Sequence, residues 1–377
     1  MHPSRVWGVV IPAALLGVPV VIWWIHLLLL PLFGWMVVRV RRGPVLRRLG
    51  EAALGTWLFA TYALASAVVT LDVGPVFFGL LQALSWLLFL YAPLLLLIGA
   101  GASSGATRWA AALLGMVLAG IGIDAVFIEP FNLQVRRTTI EVPGLREPLR
   151  IALLADIQTR AITDYERAAF QIVAQAEPDL VLFAGDYIQT EAPAAVARER
   201  ARLAQLIQSL DLIPQWGAHA VEGDVDRAGW QDAFDATIVQ PALEPIEIRS
   251  LGPVELVLLD LDTSRDPLET LLPTRSDAEL TILLGHRPDF SLGLEEAGPS
   301  TLMLAGHTHG GQVQLPGVGP LITFSNVVRE RAHGQSVLAG GASLVVSAGI
   351  GLERSTAPRL RFLCPPEVWL LDVVPKP

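Results

Sequence analysis

Apolar residues are not spread evenly along this chain. Four long apolar stretches, at roughly 8 to 37, 52 to 71, 75 to 99 and 109 to 128, crowd into its first third. Each is near the ~20 residues that an α-helix needs to cross a bilayer. With 377 residues, 52% hydrophobic and with a mean hydropathy of +0.50, the chain is too apolar for an ordinary soluble protein. Residues 1–130 are therefore expected to form an all-α transmembrane bundle of about four helices. The first stretch is long and contains Pro19 and Pro31, so five helices are the alternative. A cleaved signal peptide does not account for the pattern, because one short apolar segment would not be followed by three more.

Arginines in the short loops set the expected orientation. The loop "RVRRGPVLRR" carries Arg39, Arg41, Arg42, Arg47 and Arg48, whereas "LDVG" has one acid and no base. Excess Lys and Arg mark cytoplasmic loops. Four helices would then place everything after residue 130 outside the cytoplasm. An odd number would reverse this, and Arg136 and Arg137 just past the last stretch pull against it. The net charge of -9 argues against a nucleic-acid partner and predicts no general attraction to anionic lipid. Cys364 is the single cysteine and cannot close an internal disulfide. His26, alone in the first stretch, has another helix as its simplest neighbour.

Residues 131–147 read as a linker and first strand, and residues 148–377 as one globular α/β domain. Short apolar runs, "LRIALLAD", "DLVLFAGD", "WGAHAVEGD", "VELVLLDLD", "LTILLGH", "STLMLAGHTH" and "SLVVSAG", have the look of buried strands. Between them "TDYERAAFQIVAQAEP" and "APAAVARERARLAQLIQSL" carry apolar residues at helical spacing. The tail "RLRFLCPPEVWLLDV" suggests a closing pair of strands.

Nearly every one of these strands ends in a metal-capable residue where the chain turns: Asp156, Asp186, Asp224, His286, then His307 and His309. Any one of them alone reads as a turn former, a helix cap or a hydrogen-bonded core histidine. Six in this order form a constellation, because ligands at the carboxyl ends of adjacent strands converge on one crevice. Mixed carboxylates and imidazoles suit Mn, Fe or Zn. In "GHTHGG" the two histidines project from one side of an extended turn, and Gly310 and Gly311 let the backbone pass close by.

The order of these residues resembles the calcineurin-like metallophosphoesterases, whose pattern is D-x-H, G-D, G-N-H-[DE], a lone H, and G-H-x-H. The matching segments are "DIQ" at 156–158, "GD" at 185–186, "GDVD" at 223–226, "GHRPDF" from Gly285, and "GHTHGGQ" at 306–312. The last motif and the tail "GIGLERSTAPRLRFLCPPEVWLLD" are similar to the membrane-associated branch. The resemblance covers about 230 residues and none of the apolar stretches. It implies an αββα four-layer sandwich holding two divalent metal ions that clamp a phosphate and activate water. Asp156 and His309 would hold one ion, His286 and His307 the other, and Asp186 would bridge them.

Three positions depart from the pattern. Gln158 replaces a histidine ligand with a weaker, neutral amide oxygen. Asp224 replaces an asparagine ligand and can still bind through a carboxylate oxygen. Val225 replaces a catalytic histidine and can neither steady a phosphate nor protonate a leaving group, which typically costs about 10²- to 10⁴-fold in rate. The expected metal set is Asp156, Gln158, Asp186, Asp224, His286, His307 and His309, with Asp186, Asp224 and His307 at the chemistry.

Asp226 is expected to orient the turn after Asp224. His219 reads as structural, being five residues from Asp224 and off its turn. His333, in "RERAHGQ", reads as a solvated loop histidine, and Arg287 and Arg354 each as a surface charge or a local ion pair, with the alternative of meeting phosphate. "GVGPL" lacks the spacing and setting of a dinucleotide or P-loop site, no G-x-S-x-G elbow is present, and His307 and His309 are not four apart on a helix as a zinc protease needs.

The expected function is a membrane-anchored, divalent-metal-dependent phosphoesterase acting on a phosphoester or pyrophosphate, small or lipid-linked. The alternative is an impaired relative that binds metal as a sensor or scaffold. The intact His286, His307 and His309 favour the first, and Gln158 and Val225 the second.

Overall fold

The computed structural model describes residues 35, 76–102, 104–190, 192–269, 278–354 and 357–377. Apart from Trp35, the first two expected spans lie outside the described residues. The chain divides into two compact units, residues 1–128 with 353–360, and residues 129–352 with 361–377.

In the first unit, α1 (Val76–Trp86) runs through a π-helical stretch at Leu87–Tyr91 into α2 (Ala92–Ala102). Neither "VFFGLLQALSW" nor "APLLLLIGAGA" contains a charged residue. Pro93 has no N–H to give the carbonyl four residues back, and the widened turn just before it is how the helix continues. Helix α3 (Gly105–Ile123) follows. Among the described residues, two segments, Leu84–Gly101 and Gly105–Phe131, are long and apolar enough to cross a membrane. The helices approach at two glycines seven residues apart: a Cβ on Gly115 would sit 3.0 Å from Leu97 Cγ, and one on Gly122 would sit 2.8 Å from Phe89 Cβ. Small residues at such contacts let helix backbones close up where no hydrophobic effect draws them together.

The second unit is built on two six-stranded mixed sheets. Its strands are β1 (Gln134–Val142), β2 (Leu149–Leu154), β3 (Leu180–Phe183), β4 (Ala218–Ala220), β5 (Val239–Pro241), β6 (Ile246–Leu251), β7 (Val254–Leu259), β8 (Leu280–Leu284), β9 (Thr301–Ala305), β10 (Gln314–Leu315), β11 (Gly319–Pro320), β12 (Gly334–Val337), β13 (Ser343–Val346) and β14 (Glu367–Pro375). The first sheet has the order β1-β14-β2-β3-β4-β5, the second β12-β13-β9-β8-β7-β6, and β10 and β11 form a separate hairpin. Strands β2 to β5 are parallel, as are β7, β8, β9 and β13.

Alternation decides which residues face which layer. Ile151, Leu153, Leu180 and Leu182 of the first sheet pack against Leu256, Leu258, Ile282, Leu284, Leu302 and Leu304 of the second. The intervening Ala152, Leu154, Val181 and Phe183 face outward onto α4 (Asp164–Gln175) and α5 (Pro193–Gln208) through Phe170, Val173, Leu203 and Leu206. Helix α4 begins with a capping box, Thr163 reciprocated by Glu166. The outer face of the second sheet packs on Phe290 and Leu294, at and just past the short turn Pro288–Gly293, and α6 (Leu261–Arg265) lies in the same unit. The two sheets and one full helical layer are thus present, while the other outer face carries only short helical turns among the described residues.

The tail differs from the expected strand pair. Only β14 is a full strand, inserted between β1 and β2, parallel to the first and antiparallel to the second. Its expected partner segment is tied down instead by Arg361, fully buried, which donates to the carbonyls of Ala348, Gly351 and Cys364 at 2.6, 2.7 and 3.0 Å. A guanidinium that serves three inward carbonyls cannot follow the strand alternation that the sequence suggests.

His219 is structural. Arg249 Nη1 donates to its Nδ1 at 2.6 Å, so the ring proton sits on Nε2 and is donated to the Trp216 carbonyl at 3.0 Å. Burial, with the Arg249 charge adding to it, lowers its pKa to about 4. Between that value and the unfolded ~6.5 the unfolded state binds more protons, so stability rises with increasing pH across this window and is lost as pH falls through it, by about 3 kcal/mol in all. The stability difference between wild type and His219→Gln, followed by thermal melts of the full chain in detergent, should shrink by about that amount from pH 7.5 to pH 4. A difference independent of pH would contradict the neutral, buried ring.

Candidate metal centre

Every expected site residue lies just past a strand end: Asp156 after β2, Asp186 after β3, Asp224 after β4, His286 after β8, His307 and His309 after β9. Asp156, Gln158, Asp186, His307 and His309 all adopt positive φ, between 35° and 70°. Non-glycine residues pay for that conformation, and such strain collects where a site over-determines the backbone. The turns are locked together: Asp156 accepts from His307 N at 3.0 and 3.1 Å, and Gln158 N donates to Asp186 O at 2.8 Å.

Asp226 explains the third turn. Its carboxylate accepts the amides of Asp186, Tyr187 and Gly223 at 2.9, 3.0 and 2.9 Å, fastening two strand ends to one side chain. Burial pushes its pKa up to about 6 against the pull of these amides. Val225 contributes its amide, which donates to Asp186 Oδ1 at 2.8 Å.

Two groups of candidate ligands converge, each with its ligand atoms within 4.8 Å of one another: Asp156, Asp186 and His286; and Asp224, His286 and His307. His286 belongs to both. Its Nδ1 hydrogen-bonds the Ala184 carbonyl at 2.7 Å, which turns Nε2 towards Asp186 Oδ2 at 3.6 Å and Asp224 Oδ2 at 3.3 Å. His307 is fixed in the same way, Nε2 on the Phe324 carbonyl at 2.9 Å and Nδ1 on Asp224 Oδ2 at 2.7 Å. A carbonyl on one ring nitrogen sets the tautomer that leaves the other as a metal ligand. His309 is buried but lies outside both groups, and Gln158 is buried with its amide donating to Gln189 Oε1 at 3.2 Å.

Charge at the centre points the same way. Burial pushes the Asp156 carboxyl up and the Asp186 carboxyl well up, the latter also repelled by Asp226 and Asp156. Burial works against a charged His286, yet Asp186, Asp224 and Asp156 outweigh it and push its pKa up to about 10. Burial also opposes ionised Asp224, but the rings of His286 and His307 hold its carboxyl far below the usual range. Two buried carboxylates and the half-buried Asp224, drawing a proton onto a buried imidazole, are the donor set that a hard or borderline divalent cation satisfies. The residues present therefore fit such an ion.

Sequence reasoning missed several supports. Arg265, at the end of α6, donates to Asp224 Oδ1 at 3.0 Å, and nothing in "LDLDTSRD" marks it. Arg287 is the ion pair expected, on Asp224. Asp289 holds the loop beyond Phe324 through Ser325 and Asn326, at 2.5 and 2.8 Å. His333 is a correction: it is not a solvated loop histidine but half-buried, 3.2 Å from Glu367 and 3.0 Å from Gln314 Nε2. Burial alone would raise the Glu367 pKa, but His333, the Ala348 amide and Trp369 hold it at about 2.

Comparison with known proteins agrees. Residues 149–311 match the sequence pattern of the family described as calcineurin-like phosphoesterase. The chain is similar to YkuE of Bacillus subtilis, an uncharacterized metallophosphoesterase, at 27% identity over 69% of this chain and 92% of the relative. It is similar to an uncharacterized metallophosphoesterase of Helicobacter pylori at 26% identity over 64% of each chain. With the phosphodiesterase YaeI of Escherichia coli it shares 26% identity over 60% of this chain and 83% of that one. Residues 149–311 of the second unit thus carry the calcineurin-like phosphoesterase pattern, and the relatives support a metal-dependent phosphoric ester hydrolase.

Proposed function

We propose that this chain is a membrane-anchored phosphoesterase that works with two divalent ions on a phosphate ester or diphosphate presented at the membrane. The observation that carries this reading is the convergence of Asp156, Asp186, Asp224, His286 and His307 from both sheets onto one point. Bound there, divalent ions supply Lewis acidity and a nucleophile drawn from water at neutral pH. Asp224, His286 and His307 would hold one ion and Asp156 and Asp186 the other, with His309 and Gln158 completing the set on small side-chain movements, since His286 has only Nε2 to give. The protein's own part is orientation: the Ala184 and Phe324 carbonyls aim the two imidazoles, the Val225 amide and Asp226 fix Asp186, and the sheets exclude water beneath.

Anchoring rests on the apolar helices Leu84–Gly101 and Gly105–Phe131. The arginine-rich first loop supports an extracytoplasmic phosphoesterase domain. A substrate confined to the same bilayer meets the enzyme at a high effective concentration. In vesicles holding the full chain and Mn²⁺, a diacylglycerol p-nitrophenyl phosphodiester should be hydrolysed with kcat/KM about 10-fold or more above that of soluble bis(p-nitrophenyl) phosphate. Equal values would remove the lipid-linked substrate and leave the phosphoesterase.

A further inference from the structure

Two arginines stand on Asp224. Arg287 grips it as a fork, Nε to Oδ2 at 3.0 Å and Nη2 to Oδ1 at 3.1 Å. Arg265 adds Nη2 to Oδ1 at 3.0 Å, and its Nη1 rests on the exposed Asp262 at 2.9 Å. Arg287 Nη1 makes no hydrogen bond to any described residue, although the side chain is only 24% exposed. A partly buried guanidinium with one N–H pair open is a ready contact for phosphate oxygens, whose geometry the fork matches.

The placement of this fork is specific. Oδ2 of Asp224 touches both His286 Nε2 and Arg287 Nε, so the guanidinium begins one oxygen away from the candidate centre. The neighbouring Val225 offers an aliphatic side chain, and arginine keeps its proton at neutral pH. Negative charge arriving here is therefore met by fixed positive charge. Arg265 has both Nη atoms engaged, on Asp262 and Asp224, which leaves Arg287 as the principal contact.

We infer that Arg287, backed by Arg265, is the subsite for a second phosphate beside the scissile one, so that the preferred substrate contains a diphosphate linkage. This rests on the phosphoesterase reading above. In the reaction the oxygen of water bonds to one phosphorus, and the bridging P–O bond breaks with its electron pair on the departing phosphate. Two phosphate monoesters form, and the two protons of water pass to solvent. A phosphate is a stable leaving group, and Arg287 meets the charge it gains.

The test uses the full chain in detergent and has two arms. After EDTA treatment, calorimetry should show methylenediphosphonate binding about 10-fold or more tighter than methylphosphonate, with Arg287→Gln erasing the difference. With Mn²⁺, Arg287→Gln should lower kcat/KM about 100-fold for diphenyl diphosphate and by a clearly smaller factor for bis(p-nitrophenyl) phosphate. Equal binding of the two phosphonates to wild type would overturn the inference. So would equal kinetic losses accompanied by lost Mn²⁺ uptake, which would make Arg287 a prop for Asp224. Phosphodiester hydrolysis without diphosphate preference defeats this inference alone, whereas diphosphonate preference without any hydrolysis upholds the subsite and defeats the phosphoesterase reading.

Discussion

Asp186→Asn is expected to lower kcat/KM by about 10³-fold or more while leaving the metal-free protein as stable as wild type or slightly more stable. Asp186 is almost fully buried, and its carboxylate is opposed by burial and by the charges of Asp226 and Asp156. An asparagine keeps the acceptor for the Val225 amide, so the turn is retained. What it removes is one negative charge from the donor set facing His286 at 3.6 Å. A ligand that binds only the folded state stabilises it by about 4 kcal/mol at a thousand times its Kd. The rise in melting temperature that Mn²⁺ gives wild type should therefore vanish in the variant. Retained activity, or a retained Mn²⁺ shift, would take Asp186 out of the centre.

Gly223→Ala should be as damaging for a different reason. Its Cβ would lie 2.2 Å from Asp186 N and 2.3 Å from Asp186 Oδ1, a fixed backbone atom and a side chain held by the Val225 amide. Gly223 has no positive φ, so the cost is steric and falls on the site itself. Relief requires breaking the Gly223 amide's bond to Asp226 as well, which unfastens both strand ends. The expected loss is about 3 kcal/mol or more, with loss of Mn²⁺ binding. Gly298→Ala, which meets no atom within 4 Å, serves as the neutral comparison. Thermal melts with and without Mn²⁺ read both effects, and a Gly223→Ala protein that melts like wild type would contradict the close approach of these turns.

The parts of this molecule that were legible in the sequence are those with a local signal. Fully buried parallel strands are continuous apolar runs, and "LRIALLAD", "DLVLFAGD" and "STLMLAGHTH" end at the turns where Asp156, Asp186 and His307 stand. Edge strands carry a weaker pattern: β6, "IEIRSL", alternates between exposed and half-buried positions and was not distinguishable from a polar connection. The tail misled because Leu360 and Phe362 alternate with Arg361, whose burial depends on carbonyls ten to thirteen residues away. His333 misled in the same manner, since Glu367 lies 34 residues beyond it. Arg265 reaches Asp224 across 41 residues, and only the pairing of the sheets brings them together. Long-range polar contacts have no period to read.

The most direct test of the metal-dependent phosphoesterase is hydrolysis of bis(p-nitrophenyl) phosphate by the purified full chain, before EDTA, after EDTA, and after Mn²⁺ is restored, with His286→Ala alongside. Activity that disappears with EDTA, returns with Mn²⁺ and never appears in His286→Ala is the result this structure predicts. A folded, Mn²⁺-loaded wild type that leaves the ester intact, or hydrolysis indifferent to EDTA, would contradict it.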